Sequence, residues 1–205
     1  MNPHKPDRGI IAMTCDALAQ GAIISYPTES FYGLGASAYD ESAVEKIFMI
    51  KGREEGKPLP VIIPDLKTLS ELTADIPGIA RVLIEKFWPG GLTLLLKATP
   101  DISPLLTAGT GKIGVRISSH PIAAALTLAV GSPITGTSAN ISGLPGCVTA
   151  EEVYTSLGNG VDLILDGGRT AGGKGSTILD VTVNPPEIIR EGMIDRKELE
   201  DVILL

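Results

Sequence analysis

Short apolar runs alternate with segments of helical period along nearly the whole chain, and this alternation limits the fold more than any other feature. Residues 59–63 (LPVII), 92–97 (LTLLLK) and 113–117 (IGVRI) read as strands that are solidly apolar rather than alternating. Further strands are expected at 22–26, 134–138, 161–165, 177–183 and 187–190. Helical spacing marks 10–19, 41–50, 66–73, 79–87, 122–130, 150–157 and 196–202. Strands that are apolar on both faces need helices over both, which is the pattern of an α/β fold. The last three strands follow one another with short connections, so the expected sheet is mixed, twisted and flanked by helices. No repeat or linker interrupts the pattern. The chain reads as one domain over residues 9–205, behind a loose tail at residues 1–8 (MNPHKPDR).

The 205 residues suffice for a sizeable core without disulfides or a structural metal. No apolar run approaches the ~18 residues of a membrane span, and the polar N-terminus lacks the apolar stretch of a signal peptide. Cys15 and Cys147 lie far apart with no CxxC spacing. Cys15 shares helical spacing with Ile11 and Leu18, so it reads as core filling in a reducing, cytoplasmic setting. The net charge of −7 argues against general nucleic-acid binding, which calls for a basic surface, and leaves room for a local basic pocket.

A first motif misleads. Residues 168–174 (GRTAGGK) match the opening of a P-loop, but position 175 is Gly where Ser or Thr should hold magnesium. A strand pattern follows where a phosphate-binding helix should begin, so this is a Gly-rich turn.

Four groups of residues carry chemistry. In YPTESFYGLG (26–35), hydroxyls, a carboxylate and two glycines gather where a buried strand emerges. In the helix at 41–50, Val44, Ile47 and Phe48 form the buried stripe; Lys51 stands next on it, and Arg53 follows Gly52. Lys57 makes three cations in seven residues, a suitable site for phosphate or carboxylate. In TGTSANISG (135–143), Ser138 and Asn140 point the same way if the chain is extended and could together hold phosphate or carboxyl oxygens; taken alone, the segment reads rather as a turn that ends a strand, helped by Gly143. Arg116 and Arg190 each sit inside an apolar strand, and each must pair with a carboxylate or face a polar cavity. His4 and His120 have no partner clusters, so no metal site or histidine-based nucleophile is expected, and His120 before Pro121 reads as a turn residue.

With these segments assembled, the chain resembles the YrdC-like family of threonylcarbamoyl-AMP synthases, in its short single-domain form. The resemblance spans residues 9–192. It is carried, in order, by YPTESFYGLG, IKGREEGKPL, FWPGGLTLLL, IGVRIS, TSANISG, GGRTAGGKGSTILDV and IIREG. It implies a concave, positively lined cavity and a reaction that joins L-threonine, bicarbonate and ATP into threonylcarbamoyl-adenylate and pyrophosphate. That adenylate serves proteins that transfer the threonylcarbamoyl group to an adenosine beside the tRNA anticodon. The resemblance also implies that Lys51, Arg53, Ser138 and Asn140 form the catalytic core. Thr28, Arg116 and Ser176 would hold threonine, while Lys57, Ser138 and Arg190 would lie by the nucleotide. Magnesium would arrive with ATP. One departure stands at 54–57 (EEGK), where family members often have proline after the arginine. On this reading Lys51→Ala and Arg53→Ala end turnover and leave the fold intact. A rival function for the same fold is binding of double-stranded RNA, against which the acidic total and the 4% aromatic content weigh. A second rival is the carbamoyl-transfer module of the much larger hydrogenase maturation proteins.

Overall fold

The apolar segments fold into strands separated by helices, and the strands divide between two mixed sheets. The computed structural model describes residues 2, 6–53 and 56–205. The chain begins with α1 (Arg8–Ala19), the hairpin β1 (Ile24–Pro27) and β2 (Tyr32–Gly35), α2 (Glu41–Lys51), β3 (Val61–Ile62), α3 (Leu66–Leu72) and α4 (Gly78–Phe87). There follow β4 (Leu92–Lys97), α5 (Pro104–Thr107), β5 (Lys112–Arg116), α6 (Pro121–Val130), β6 (Ile134–Thr135) and β7 (Thr137–Ser138). Last come α7 (Ala150–Leu157), β8 (Leu163–Ile164), β9 (Thr177–Asp180), β10 (Glu187–Arg190) and α8 (Arg196–Glu200). The four-stranded sheet has the order β7-β2-β1-β8, and the six-stranded sheet β10-β9-β4-β5-β3-β6.

The expected tail is shorter than residues 1–8, because Asp7 accepts hydrogen bonds from the amides of Gly9 and Ile10 and caps α1 at Arg8. Met1, Pro3, His4 and Lys5 lie outside the described residues, as do Glu54 and Glu55. The segment 134–138, expected as one strand, is two. At Gly136 the chain leaves the six-stranded sheet for the four-stranded one. The Gly136 amide donates to Pro60 O at 2.8 Å, and a Cβ there would lie 2.8 Å from Ile62 Cγ1. Only glycine lets the two strands approach so closely. The switch carries Ser138 to the edge of β2, where it pairs with Gly33.

The segment 32–35, polar and glycine-rich in sequence, is a strand. Ile24 and Tyr26 of β1 face Gly35 and Gly33 of β2, and the Tyr26 ring occupies the room that the glycines leave. Tyr26 is fully buried and donates its hydroxyl to Thr135 O at 2.8 Å. A ring of that size removes roughly 150–250 Å² from water, worth about 4–6 kcal/mol. Ile24 and Tyr26 join Ile11, Leu18, Ile122 and Leu126 in a core beneath α1 and α6. Tyr32 and Leu34 point into the larger core with Val44, Ile47, Leu94 and Val115. Cys15 is half-buried at the margin of the first core, not inside it as its spacing indicates. The glycine-rich segment after β8 leads straight into β9 with no helix, so it is no P-loop.

Candidate active site

The two sheets bring several element ends to one place: the turn after β1, the end of α2, the end of β5, the β6–β7 switch and the paired strands β9 and β10. Between them lies a cleft of about 300 Å³, at the small end of the usual range for ligand sites. Of the nine residues expected in the site, Thr28, Arg53, Arg116, Ser138, Ser176 and Arg190 line it. Lys51, Asn140 and Lys57 do not.

Lys51 is 2% exposed. Its place on the buried stripe of α2 sends the ammonium inward, where it donates to Ser138 O and, at 2.7 Å, to Asn140 O. Burial, and after it the charge of Arg53, pulls its pKa down to about 8. Lys51 therefore holds the Ser138–Asn140 loop and does not reach the cleft. Asn140 completes the same fastening: its Nδ2 donates to Ile141 O at 2.8 Å and to Leu144 O at 2.7 Å. The strand ends at Ser138, so its alternation does not extend to Asn140: Ser138 lines the cleft, while Asn140 is bonded within its own loop. With these bonds in place, Lys51→Ala is expected to cost stability as well as to affect the site. Lys57 is exposed; its carbonyl lies 3.5 Å from Arg53 Nε, and its side chain stays outside the cleft.

Arg53 reaches the cleft from just beyond α2 and donates through Nη2 to Pro58 O at 2.9 Å. An irregularity between Ile188 and Arg190 in β10 shifts the register with β9. From there Arg190 reaches back to Ser176, donating to its carbonyl at 2.6 Å and lying 3.3 Å from its hydroxyl. The Ser176 hydroxyl is held in turn by Thr93 Oγ1 at 2.9 Å. Arg116 does both things the sequence left open. It lines the cleft, is 5% exposed, and pairs with Glu29. Glu29 uses its other oxygen to accept from the Ser118 hydroxyl. Thr28 Oγ1 donates to Phe31 O at 2.6 Å and closes the tight turn that presents this segment.

The positive charges feel one another. Arg53 and Arg190 both lie below the ordinary guanidinium pKa. Loss of water around the guanidinium is the main cause in each, although Arg190 as a residue is exposed, followed by the charge of Arg190 at Arg53 and that of Arg116 at Arg190. Three guanidiniums around one cleft make a site for anions. Among the residues that line or support the cleft without being expected there are Glu29, Lys174 and Glu191. Glu29 was visible only as an unassigned carboxylate in YPTES, and the need of a buried Arg116 for a partner was the signal for it. Lys174, from the glycine-rich turn, also lines the cleft. His120 caps α6, its Nδ1 accepting from the Ile122 amide at 3.3 Å. Among the described residues no group of three or more His, Cys, Asp or Glu could hold a metal, and no helix is long and apolar enough to cross a membrane.

The threonylcarbamoyl-AMP synthase of Bacillus subtilis is 41% identical over 194 residues, covering 94% of this chain and 56% of that protein. The crystal structure of Pyrococcus abyssi Sua5 complexed with L-threonine superposes with a TM-score of 0.94 at 37% identity, covering 97% of this chain and 58% of that one. Escherichia coli YciO superposes with a TM-score of 0.88 at 33% identity, with 97% of each chain covered. The chain thus spans little more than half the length of the first two and nearly all of the third. The family model Sua5/YciO/YrdC, described as telomere recombination, matches residues 16–192, and the chain belongs to the Sua5/YciO/YrdC family.

Proposed function

We propose that this chain is an L-threonylcarbamoyladenylate synthase, a nucleotidyltransferase that consumes L-threonine, bicarbonate and Mg·ATP. The observation that carries the reading is the convergence of Arg53, Arg116 and Arg190 on one small cleft in a chain of this family. The relative's complex with L-threonine supports it, as does the name of the Bacillus subtilis relative.

In this reading Arg116 takes the amino acid's carboxylate, and Thr28 and Ser176 present hydroxyls beside it. Arg53 and Arg190, with Ser138, face the nucleotide phosphates. The threonine amine attacks the bicarbonate carbon, water leaves, and a carbamate forms. A carbamate oxygen then attacks the α-phosphorus of ATP, and pyrophosphate departs. The carbamate is short-lived in water, so holding all three reactants in one cleft is the main catalytic contribution. The guanidiniums stabilise the charge that develops on the phosphoryl oxygens. No protein nucleophile is required. Magnesium enters as part of the nucleotide: the carboxylate lining the cleft is Glu191, and one carboxylate with substrate phosphates is the usual magnesium environment. The adenylate would pass to proteins that modify tRNA in the cytoplasm, a setting that suits the free thiols of Cys15 and Cys147.

The test is pyrophosphate release from Mg·ATP, with and without L-threonine and bicarbonate. Release that requires both co-substrates is expected. No release under any combination, together with salt-dependent binding of double-stranded RNA, would replace this reading with the RNA-binding one.

A further inference from the structure

The arginines of the cleft are not equivalent. Arg116 is matched by a carboxylate, Glu29, and the pair is nearly dry, with side chains 6% and 9% exposed. Among the described residues, the hydrogen-bond partners of Arg53 are the carbonyls of Lys57 and Pro58, and those of Arg190 are the carbonyl and hydroxyl of Ser176. Among the described residues neither forms an ion pair with a carboxylate, and Glu191, which lines the same cleft, lies 4.0 Å from Arg196. At the Arg116 end of the cleft the cation is therefore matched by its own carboxylate, whereas Arg53 and Arg190, with Lys174 also lining the cleft, form no carboxylate pair among the described residues.

Glu29 is also fixed from both sides. Arg116 Nη1 binds one oxygen and the Ser118 hydroxyl the other, while Ser118 accepts from the His120 amide at 3.2 Å. Ser118 is itself 1% exposed. A buried pair of this kind adds little to stability, because desolvation offsets the attraction. Its effect is on what the neighbouring space attracts.

We propose that Glu29 is a specificity-determining residue: by neutralising Arg116 it reserves that end of the cleft for a single carboxylate and confines polyphosphate to Arg53 and Arg190. The inference rests on the synthase reading, since it sorts two of that reaction's substrates. Arg116 lies near enough to Arg190 for its charge to be felt there. Without Glu29 the three guanidiniums would form one continuous cationic surface, and phosphate could settle across the amino-acid end. Specificity of this sort works by making the wrong occupant unfavourable.

The experiment measures the Kd of L-threonine by calorimetry, without phosphate and with saturating inorganic phosphate, on the nucleotide-free protein. In the wild type phosphate should change that Kd by less than about twofold. In Glu29→Gln, which keeps shape and hydrogen-bonding capacity and removes the charge, phosphate should weaken threonine binding by about tenfold or more. An unchanged ratio in a folded Glu29→Gln protein overturns the inference, and so does complete loss of threonine binding without phosphate. Should Glu29→Gln fail to fold, the double variant Glu29→Gln/Arg116→Gln, which leaves no unpaired buried charge, decides. Its phosphate affinity should stay within about twofold of wild type, and a loss of about tenfold would show phosphate already using Arg116 and overturn the proposal. A wild-type protein that binds no L-threonine would remove the synthase reading itself, and this inference with it.

Discussion

Lys51→Ala should destabilise the protein, and the size of the effect follows from three competing contributions. Truncation removes three buried methylenes, worth about 2.4 kcal/mol at ~0.8 kcal/mol each. It also leaves the carbonyls of Ser138 and Asn140 without their buried donor, at roughly 2 kcal/mol apiece. Against these stands the relief of burying a cation: a pKa lowered from 10.5 to about 8 makes charging Lys51 some 3 kcal/mol dearer in the folded chain. The losses win by about 3 kcal/mol, which for a domain of this size lowers Tm by roughly 6–12 °C. The pH dependence has a definite sign. A depressed lysine pKa contributes stability that is present above the unfolded value of 10.5 and lost as pH falls through about 8. The penalty for Lys51→Ala should accordingly grow by about 1 kcal/mol between pH 8 and pH 9. Thermal unfolding followed by circular dichroism at pH 7, 8 and 9, in ~0.15 M salt, measures both. A Lys51→Ala protein with wild-type Tm and no activity would refute the argument and return Lys51 to direct chemistry.

Three further outcomes are expected. Arg53→Ala should keep the wild-type melting profile and raise the KM for ATP by roughly 10–150-fold, the loss of one charge-assisted contact, as steady-state kinetics would show; an unchanged KM would remove Arg53 from the nucleotide end. Gly35→Ala would put a Cβ 2.7 Å from Tyr26 Cε1, in a ring that its hydroxyl bond to Thr135 cannot release, and should cost about 1–3 kcal/mol in chemical denaturation. The same change in a Tyr26→Ala background should be nearly neutral, and equal costs in both backgrounds would contradict the packing assignment. Burial pushes the Tyr32 phenol up to about 12 and raises that of Tyr26 as well. Folded values above the unfolded one give stability that is full below about pH 10 and lost as pH rises from there toward 12. Phenolate absorbance should show these two groups ionising together with unfolding, and their free titration near pH 10 in folded protein would disprove their burial.

The parts of the fold that were legible are those set by local pattern. Runs such as residues 92–97 and 113–117 are apolar on both faces, and they are the paired strands β4 and β5. The strand β2 was not legible, because YGLG has little strand character of its own; Tyr26 on the neighbouring strand fills the places where its side chains would be. The break at Gly136 depends on Ile62, which is distant in sequence. The stripe of α2 correctly directed Lys51 toward the core, but its acceptors lie 87 and 89 residues away, so helix periodicity could not separate a buried fastening from a catalytic cation. Asn140 fails for a related reason: side-chain alternation holds only while the chain is extended, and it ceases to be so after Ser138. Arg116 announced its need for a partner through its apolar neighbours, whereas the choice of Glu29 required the turn after β1 to be folded against the end of β5.

The most direct test of the central claim is isotopic. The protein would be incubated with Mg·ATP, L-threonine and carbon-13 bicarbonate, and the adenylate examined by mass spectrometry. The expected product is an adenylate containing threonine and one labelled carbon, formed in step with pyrophosphate and absent when Arg116→Gln/Glu29→Gln replaces the wild type. An adenylate without the label, or pyrophosphate released equally well without threonine, would contradict it.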